Sequence, residues 1–79
     1  MYYVYLLRSR NKNTFYIGYT NNVERRIREH NGGLVGYTKK YLPWDLVYYE
    51  SFLALEDAKT REKSLKSFGN ANRQLKMRI

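Results

Sequence analysis

The chain has no cysteine, a single histidine and a single proline, and only 7 Asp and Glu against 15 Lys and Arg. Without cysteine there is no disulfide framework and no cysteine-ligated zinc, and the redox compartment cannot be inferred. With His30 as the only histidine, a multi-histidine metal site is excluded. No apolar run approaches the roughly 20 residues needed to span a bilayer. Residues 2–7 are tyrosine-rich strand material with no basic segment ahead of them, which argues against a signal peptide and leads us to expect a cytoplasmic protein with no membrane association. At 79 residues, the chain is expected to form one domain over 1–79, near the size where one hydrophobic core is only just sufficient.

What is abundant is positive charge and tyrosine. Net charge is +8, spread along the whole chain, and there are 9 tyrosines. A basic domain of this size most often meets a polyanion, and nucleic acid is the commonest one. The tyrosines suit either core packing or base stacking, and composition does not separate the two.

Read in order, Tyr2-Tyr3-Val4-Tyr5-Leu6-Leu7 is a first strand, apolar on both faces and so expected at the centre of a sheet. Ser9 to Asn13 is a polar turn, and Thr14 to Tyr19 returns as the second strand of a hairpin. Strand alternation then lets Tyr5 and Tyr16 project from one face. Gly18 permits another group to approach the backbone closely. Asn21 followed by Glu24 reads as a variant capping box opening a helix over 22–30, and Asn31-Gly32-Gly33 ends it. At about 100° per residue, Val23 and Ile27 form its core stripe, with Arg26 and His30 beside them.

The following loop, Gly32 to Pro43, is long for so small a domain, and long loops tend to be functional. Its Lys39 and Lys40 interleave with Tyr37 and Tyr41, as a surface tracking a phosphate backbone would. Trp44 to Phe52 forms a third strand, and Leu55 to Phe68 has helical spacing with Leu55, Ala58 and Leu65 on one stripe. Glu62 falls towards that packed face, where an unpaired carboxylate is costly. It therefore needs a partner, either a protein cation such as Arg26 or a metal ion. Residues 71–79 read as a short basic terminal helix. The order β-β-α-β-α-α suits an α+β fold, a small three-stranded, mainly antiparallel sheet flanked by helices.

Tyr5, Tyr16, Arg26, His30 and Glu62 can supply what phosphodiester cleavage requires: a base, cationic stabilisation of the phosphate and help for the leaving oxygen. Either tyrosine would serve as base only if a nearby cation lowered its pKa from about 10. Arg26 offers a bidentate fork for non-bridging oxygens. Glu62 offers a carboxylate for a hydrated Mg²⁺. His30 is a candidate to orient a water or contact a phosphate.

The segments Tyr3-Val4-Tyr5, Tyr16-Ile17-Gly18-Tyr19-Thr20, Glu24-Arg25-Arg26, Glu29-His30-Asn31 and Arg61-Glu62-Lys63-Ser64-Leu65-Lys66 together resemble the GIY-YIG nuclease family, especially its short single-domain bacterial members. The resemblance spans essentially the whole chain, with Tyr3-Val4-Tyr5 standing where the family name has Gly-Ile-Tyr. It implies a small sheet flanked by helices and Mg²⁺- or Mn²⁺-dependent hydrolysis of DNA, with branched or damaged structures as candidate substrates. Tyr5 and Tyr16 would be the base and water-positioning pair, Arg26 the phosphate clamp, His30 an assisting group and Glu62 the sole protein metal ligand. Asn70 or Asn72 would match a further polar position. Other members carry separate domains that choose the DNA. Specificity here would come from the chain's own loop, from self-association or from a protein partner. The competing expectations are a non-catalytic basic nucleic-acid-binding module that keeps the fold, and an RNA- or ribosome-associated protein.

Overall fold

The computed structural model describes residues 1–67. Its elements are β1 (Tyr2–Ser9), β2 (Phe15–Thr20), α1 (Val23–Asn31), a short 3-10 turn (Thr38–Tyr41), β3 (Trp44–Phe52) and α2 (Leu55–Ser67). Phe68, Asn70, Asn72 and the helix expected over 71–79 lie outside the described residues.

β1 is the central strand, in the order β2-β1-β3, and both pairings are antiparallel. Its run of apolar side chains explains the position, because a strand apolar on both faces must be covered on both. Val4, Tyr5, Leu6 and Leu7 are all at most 2% exposed. Alternation divides them between two cores. Val4 and Leu6 join Ile17 with Ala58 and Leu65 of α2. Tyr5 and Leu7 join Trp44, with Tyr16, Ile27 of α1 and Leu46 packed against them. The sheet thus carries one helix on each face.

The start of α1 differs from the capping-box expectation by one residue. Asn22 is the N-cap, and its Oδ1 accepts from the Arg25 N–H at 3.0 Å, while Asn21 Oδ1 takes the Arg25 guanidinium at 3.1 Å. Thr20 Oγ1 decides between the two asparagines by accepting the Asn22 N–H at 3.1 Å, which holds that residue in the extended conformation a cap requires. Glu24 still lies in the first turn, where the helix dipole favours a negative charge. At the other end the left-handed position is Gly33, at φ +76°, whose N–H donates to the His30 carbonyl at 3.2 Å.

α2 is fastened to β3 by a forked ion pair. Arg61 Nε and Nη2 donate to Glu50 at 2.8 and 3.1 Å, and Tyr48 Oη donates to the same carboxylate at 2.9 Å.

Gly18 is where the fold prepares the site. It pairs directly with Tyr5, and a Cβ there would stand 2.5 Å from Tyr5 Oη and 2.7 Å from its Cζ. The absent side chain is what lets the Tyr5 ring lie against β2. Gly18→Ala must displace that buried ring, at about 1–3 kcal/mol for a forced core rearrangement. A urea unfolding midpoint equal to wild type would show that the ring does not depend on this glycine.

Candidate active site

Tyr5 points from the middle of β1 towards the end of α1, where His30 is completely buried. Tyr5 Oη and His30 Nε2 are 2.9 Å apart. On the far side of the imidazole, His30 Nδ1 lies 2.8 Å from Thr38 Oγ1. Both ring nitrogens are engaged and the ring is sealed from solvent. The expectation that His30 would orient a water or touch a phosphate directly is therefore replaced: its ring nitrogens face Tyr5 and Thr38, both buried.

The wall behind this pair is rigid. Asn31 clamps the Trp44 backbone from both sides, accepting its N–H at 2.6 Å and donating to its carbonyl at 3.1 Å. Trp44 Nε1 in turn donates to the Thr38 carbonyl at 2.9 Å. The last turn of α1, the 3-10 turn and the start of β3 are thereby locked together.

Tyr16 stands on the same face as Tyr5, as strand alternation predicts. Its ring centroid is 4.9 Å from that of His30 and 6.3 Å from that of Tyr5. Arg26 lies one turn before His30 on the same side of α1 and is half-buried. Its Nη1 pairs with Glu29 Oε1 at 2.9 Å, and its positive charge acts on the Tyr5 phenol. That guanidinium holds the Glu29 carboxyl below the usual range. Arg25 and Arg26 also border an open cleft of about 320 Å³ walled by Tyr2, Tyr19, Thr20 and Leu55, so the Arg26 edge of the cluster faces solvent.

Glu62 approaches from α2. Its partner among the described residues is Lys66 at 2.9 Å rather than Arg26, because Lys66 is one helical turn away whereas Arg26 is held by Glu29. Lys66 Nζ also lies 5.6 Å from the centre of the Tyr16 ring. β2 is an edge strand, so groups from the two helix layers meet beside it. Tyr5, Tyr16, Arg26 and His30 are thus brought to one place, and Glu62 borders it through Lys66. Tyr37, largely exposed, extends the aromatic wall, with its ring 6.2 Å from Tyr16 and 5.7 Å from Tyr41. Lys39 and Lys40 are exposed on the adjoining 3-10 turn.

The electrostatics run against the simplest expectation for a tyrosine base. Burial pushes Tyr5 up to about 12, the Arg26 guanidinium only partly offsets this, and the charges of Tyr16 and Glu62 add to the rise. Burial pushes His30 down to about 4, helped by the positive Arg26. At neutral pH the pair is therefore a phenol beside a neutral imidazole.

Among the described residues no group of three or more His, Cys, Asp or Glu could cage a metal ion. One hard carboxylate does suit Mg²⁺, which keeps most of its waters and takes one or two protein oxygens. The Glu62 position already attracts a cation, the Lys66 ammonium, so the donor set fits such an ion.

Thr38 and Lys66 were not singled out from the sequence. The position of Lys66 four residues after Glu62 was a usable signal. Thr38 carried none, since its role depends on how the 32–43 loop folds back on α1.

A small antiparallel sheet with one helix on each face and a Tyr-Tyr-Arg-His-Glu cluster at its edge defines the class: a GIY-YIG-like α+β domain. Residues 1–75 match the family described as the GIY-YIG catalytic domain, and the chain belongs to that family. It is 42% identical to a UPF0213 protein of Staphylococcus haemolyticus, over 99% of this chain and 92% of that one. A UPF0213 protein of Halobacterium salinarum is 36% identical, over 94% and 96% of the two chains. The solution NMR structure of a UPF0213 protein from Bacillus halodurans superposes with a TM-score of 0.58 at 31% identity, covering 96% of this chain and 81% of that one. Among the described residues no helix is long and apolar enough to cross a membrane.

The buried imidazole makes stability depend on pH. His30 is held near 4 in the folded state against 6.5 when free, so the unfolded chain binds more protons between these values. The stabilisation is complete above pH 6.5 and is lost as pH falls towards 4, amounting to on the order of 2 kcal/mol at pH 5. Urea unfolding from pH 7 to pH 5, above the range where carboxylates titrate, should show the midpoint falling. A flat profile there would mean that His30 is not buried neutral.

Proposed function

We propose that this chain is a divalent-metal-dependent endonuclease that hydrolyses phosphodiester bonds in DNA. The observation that supports the reading is the grouping of Tyr5, Tyr16, Arg26 and His30 from three elements, with Glu62 of α2 bordering it through Lys66, in a chain of the GIY-YIG catalytic family. A protein that only bound nucleic acid would need the basic surface but not a phenol hydrogen-bonded to a neutral imidazole.

In this reading Tyr5 is the base and His30 its proton acceptor. A phenol held near 12 cannot take a proton from water while it keeps its own. His30 Nε2, neutral and 2.9 Å away, accepts the Tyr5 proton as Tyr5 Oη takes one from the attacking water. The Tyr16 hydroxyl, on the same face, orients that water. Arg26 uses the donors not occupied by Glu29 to hold the non-bridging oxygens, and its fixed charge favours the extra negative charge of the pentacovalent phosphate. Glu62 would hold the Mg²⁺ or Mn²⁺, with Lys66 releasing the carboxylate. A divalent ion bound there supplies Lewis-acid charge for the leaving oxygen. Tyr37, Lys39 and Lys40 extend the surface along the strand, with phosphate contacts from the lysines and stacking on the ring. Specificity for branched or damaged DNA would come from this loop or from a protein partner.

The test is cleavage of labelled duplex, nicked, forked and four-way DNA, and of RNA, with Mg²⁺, with Mn²⁺ and with chelator. Metal-dependent cutting of DNA is expected. Arg26→Ala should lower it by a factor of about 10² or more with the fold retained. Glu62→Gln should remove metal-dependent cutting while DNA binding is kept or strengthened, since a negative charge is deleted. Binding without cutting on every substrate would instead identify a nucleic-acid-binding module, and normal cutting by Glu62→Gln would overturn the metal assignment.

A further inference from the structure

The single histidine makes contacts that have a direction. The buried Tyr5 hydroxyl needs an acceptor for its own proton, and among the described residues the one placed to take it is His30 Nε2 at 2.9 Å. Nε2 must therefore be the unprotonated nitrogen, and Nδ1 carries the hydrogen. Nδ1 faces Thr38 Oγ1 at 2.8 Å, and Thr38 sends its own hydroxyl proton to the Val35 carbonyl at 3.2 Å. Thr38 is thus free to accept. Every donor in the chain Tyr5, His30, Thr38, Val35 finds an acceptor in this one direction. Reversing it would point the His30 Nε2–H at the phenol oxygen and leave the phenol proton without a partner among the described residues.

We propose that Thr38 is a positioning residue that locks His30 in the Nδ1–H tautomer, leaving Nε2 as the acceptor for the Tyr5 proton. Its own placement is fixed independently of His30. Thr38 is completely buried, and its carbonyl accepts the Trp44 indole N–H at 2.9 Å, so the hydroxyl is presented by a backbone that cannot drift. The catalytic consequence rests on the nuclease reading above. When the proton leaves Tyr5 Oη for His30 Nε2, the O–H bond breaks and an N–H bond forms. Tyr5 Oη takes its replacement proton from the attacking water, and the resulting imidazolium holds two N–H groups, one facing the Tyr5 oxygen and the other still on Thr38 Oγ1. A histidine in the other tautomer has no lone pair facing Tyr5 and cannot take that proton.

The tautomer can be read directly, because no other histidine contributes imidazole signals. In ¹⁵N-labelled protein at neutral pH, long-range ¹H–¹⁵N correlation should show a proton-bearing Nδ1 and a bare Nε2. Thr38→Ser, which keeps the hydroxyl, should give the same pattern. Thr38→Val, which keeps the shape but not the acceptor, should give averaged or exchanged nitrogen shifts. A proton on Nε2 in the wild type, or an unchanged pattern in a folded Thr38→Val, would overturn the proposal, and the wild-type measurement decides even if that variant does not fold. On any substrate the wild type cuts, Thr38→Val should lower kcat by about ten- to a hundredfold with KM little changed, and Thr38→Ser should restore it. Wild-type rates in Thr38→Val would equally overturn it. If the wild type cuts nothing but shows the Nδ1–H tautomer, the nuclease reading fails while the lock by Thr38 stands.

Discussion

The contact between Tyr5 and His30 is the one on which the remaining structure depends. It joins the central strand to the last turn of α1 across 25 residues of sequence, with both side chains buried. A buried phenol and a buried imidazole are each costly without a partner, and each here satisfies the other. Much of the surrounding chain serves to keep them in register. Gly18 yields space for the phenol ring, Thr38 occupies the second imidazole nitrogen, and Asn31 with Trp44 ties the helix end to β3.

The same burial sets the chemistry. Desolvation raises the phenol and lowers the imidazole, so each stays neutral where an exposed site would bring them closer to ionisation. Arg26 acts on both, lowering Tyr5 and lowering His30, and does not overcome burial at the phenol. In the proposed mechanism the Tyr5-to-His30 transfer stays inside the protein, while Tyr5 Oη, Tyr16 and Arg26 meet the water and the phosphate.

Around this neutral centre the surface is strongly cationic. The few acidic residues are largely committed to cations of the chain itself: Asp45 to Arg10, Glu24 to Arg28, Glu29 to Arg25 and Arg26, Glu50 to Arg61, Glu56 to Lys59 and Glu62 to Lys66. Exposed pairs of this kind add little stability. Their larger effect is that the acids are locally neutralised, while the +8 surplus remains to attract a polyanion.

Strand and helix positions were legible in the sequence because they rest on local periodicity. The unbroken apolar run of Tyr2 to Leu7 announced a central strand, and the strand period of two put Tyr5 and Tyr16 on one face. The helical period put Arg26 and His30 side by side, and it turned Glu62 towards a packed surface that demanded a cation. Local helix spacing decided which cation that was, since Lys66 follows Glu62 by one turn and Arg26 is taken by Glu29 one turn on. Tertiary structure chose Asn22 over Asn21 as the cap through Thr20, and it brought Thr38 against His30 by folding a loop that has no period to read. It also decided the direction of the Tyr5 shift. A sequence can place a cation beside a phenol, but whether charge or desolvation wins depends on the depth at which the two helix layers close over the sheet.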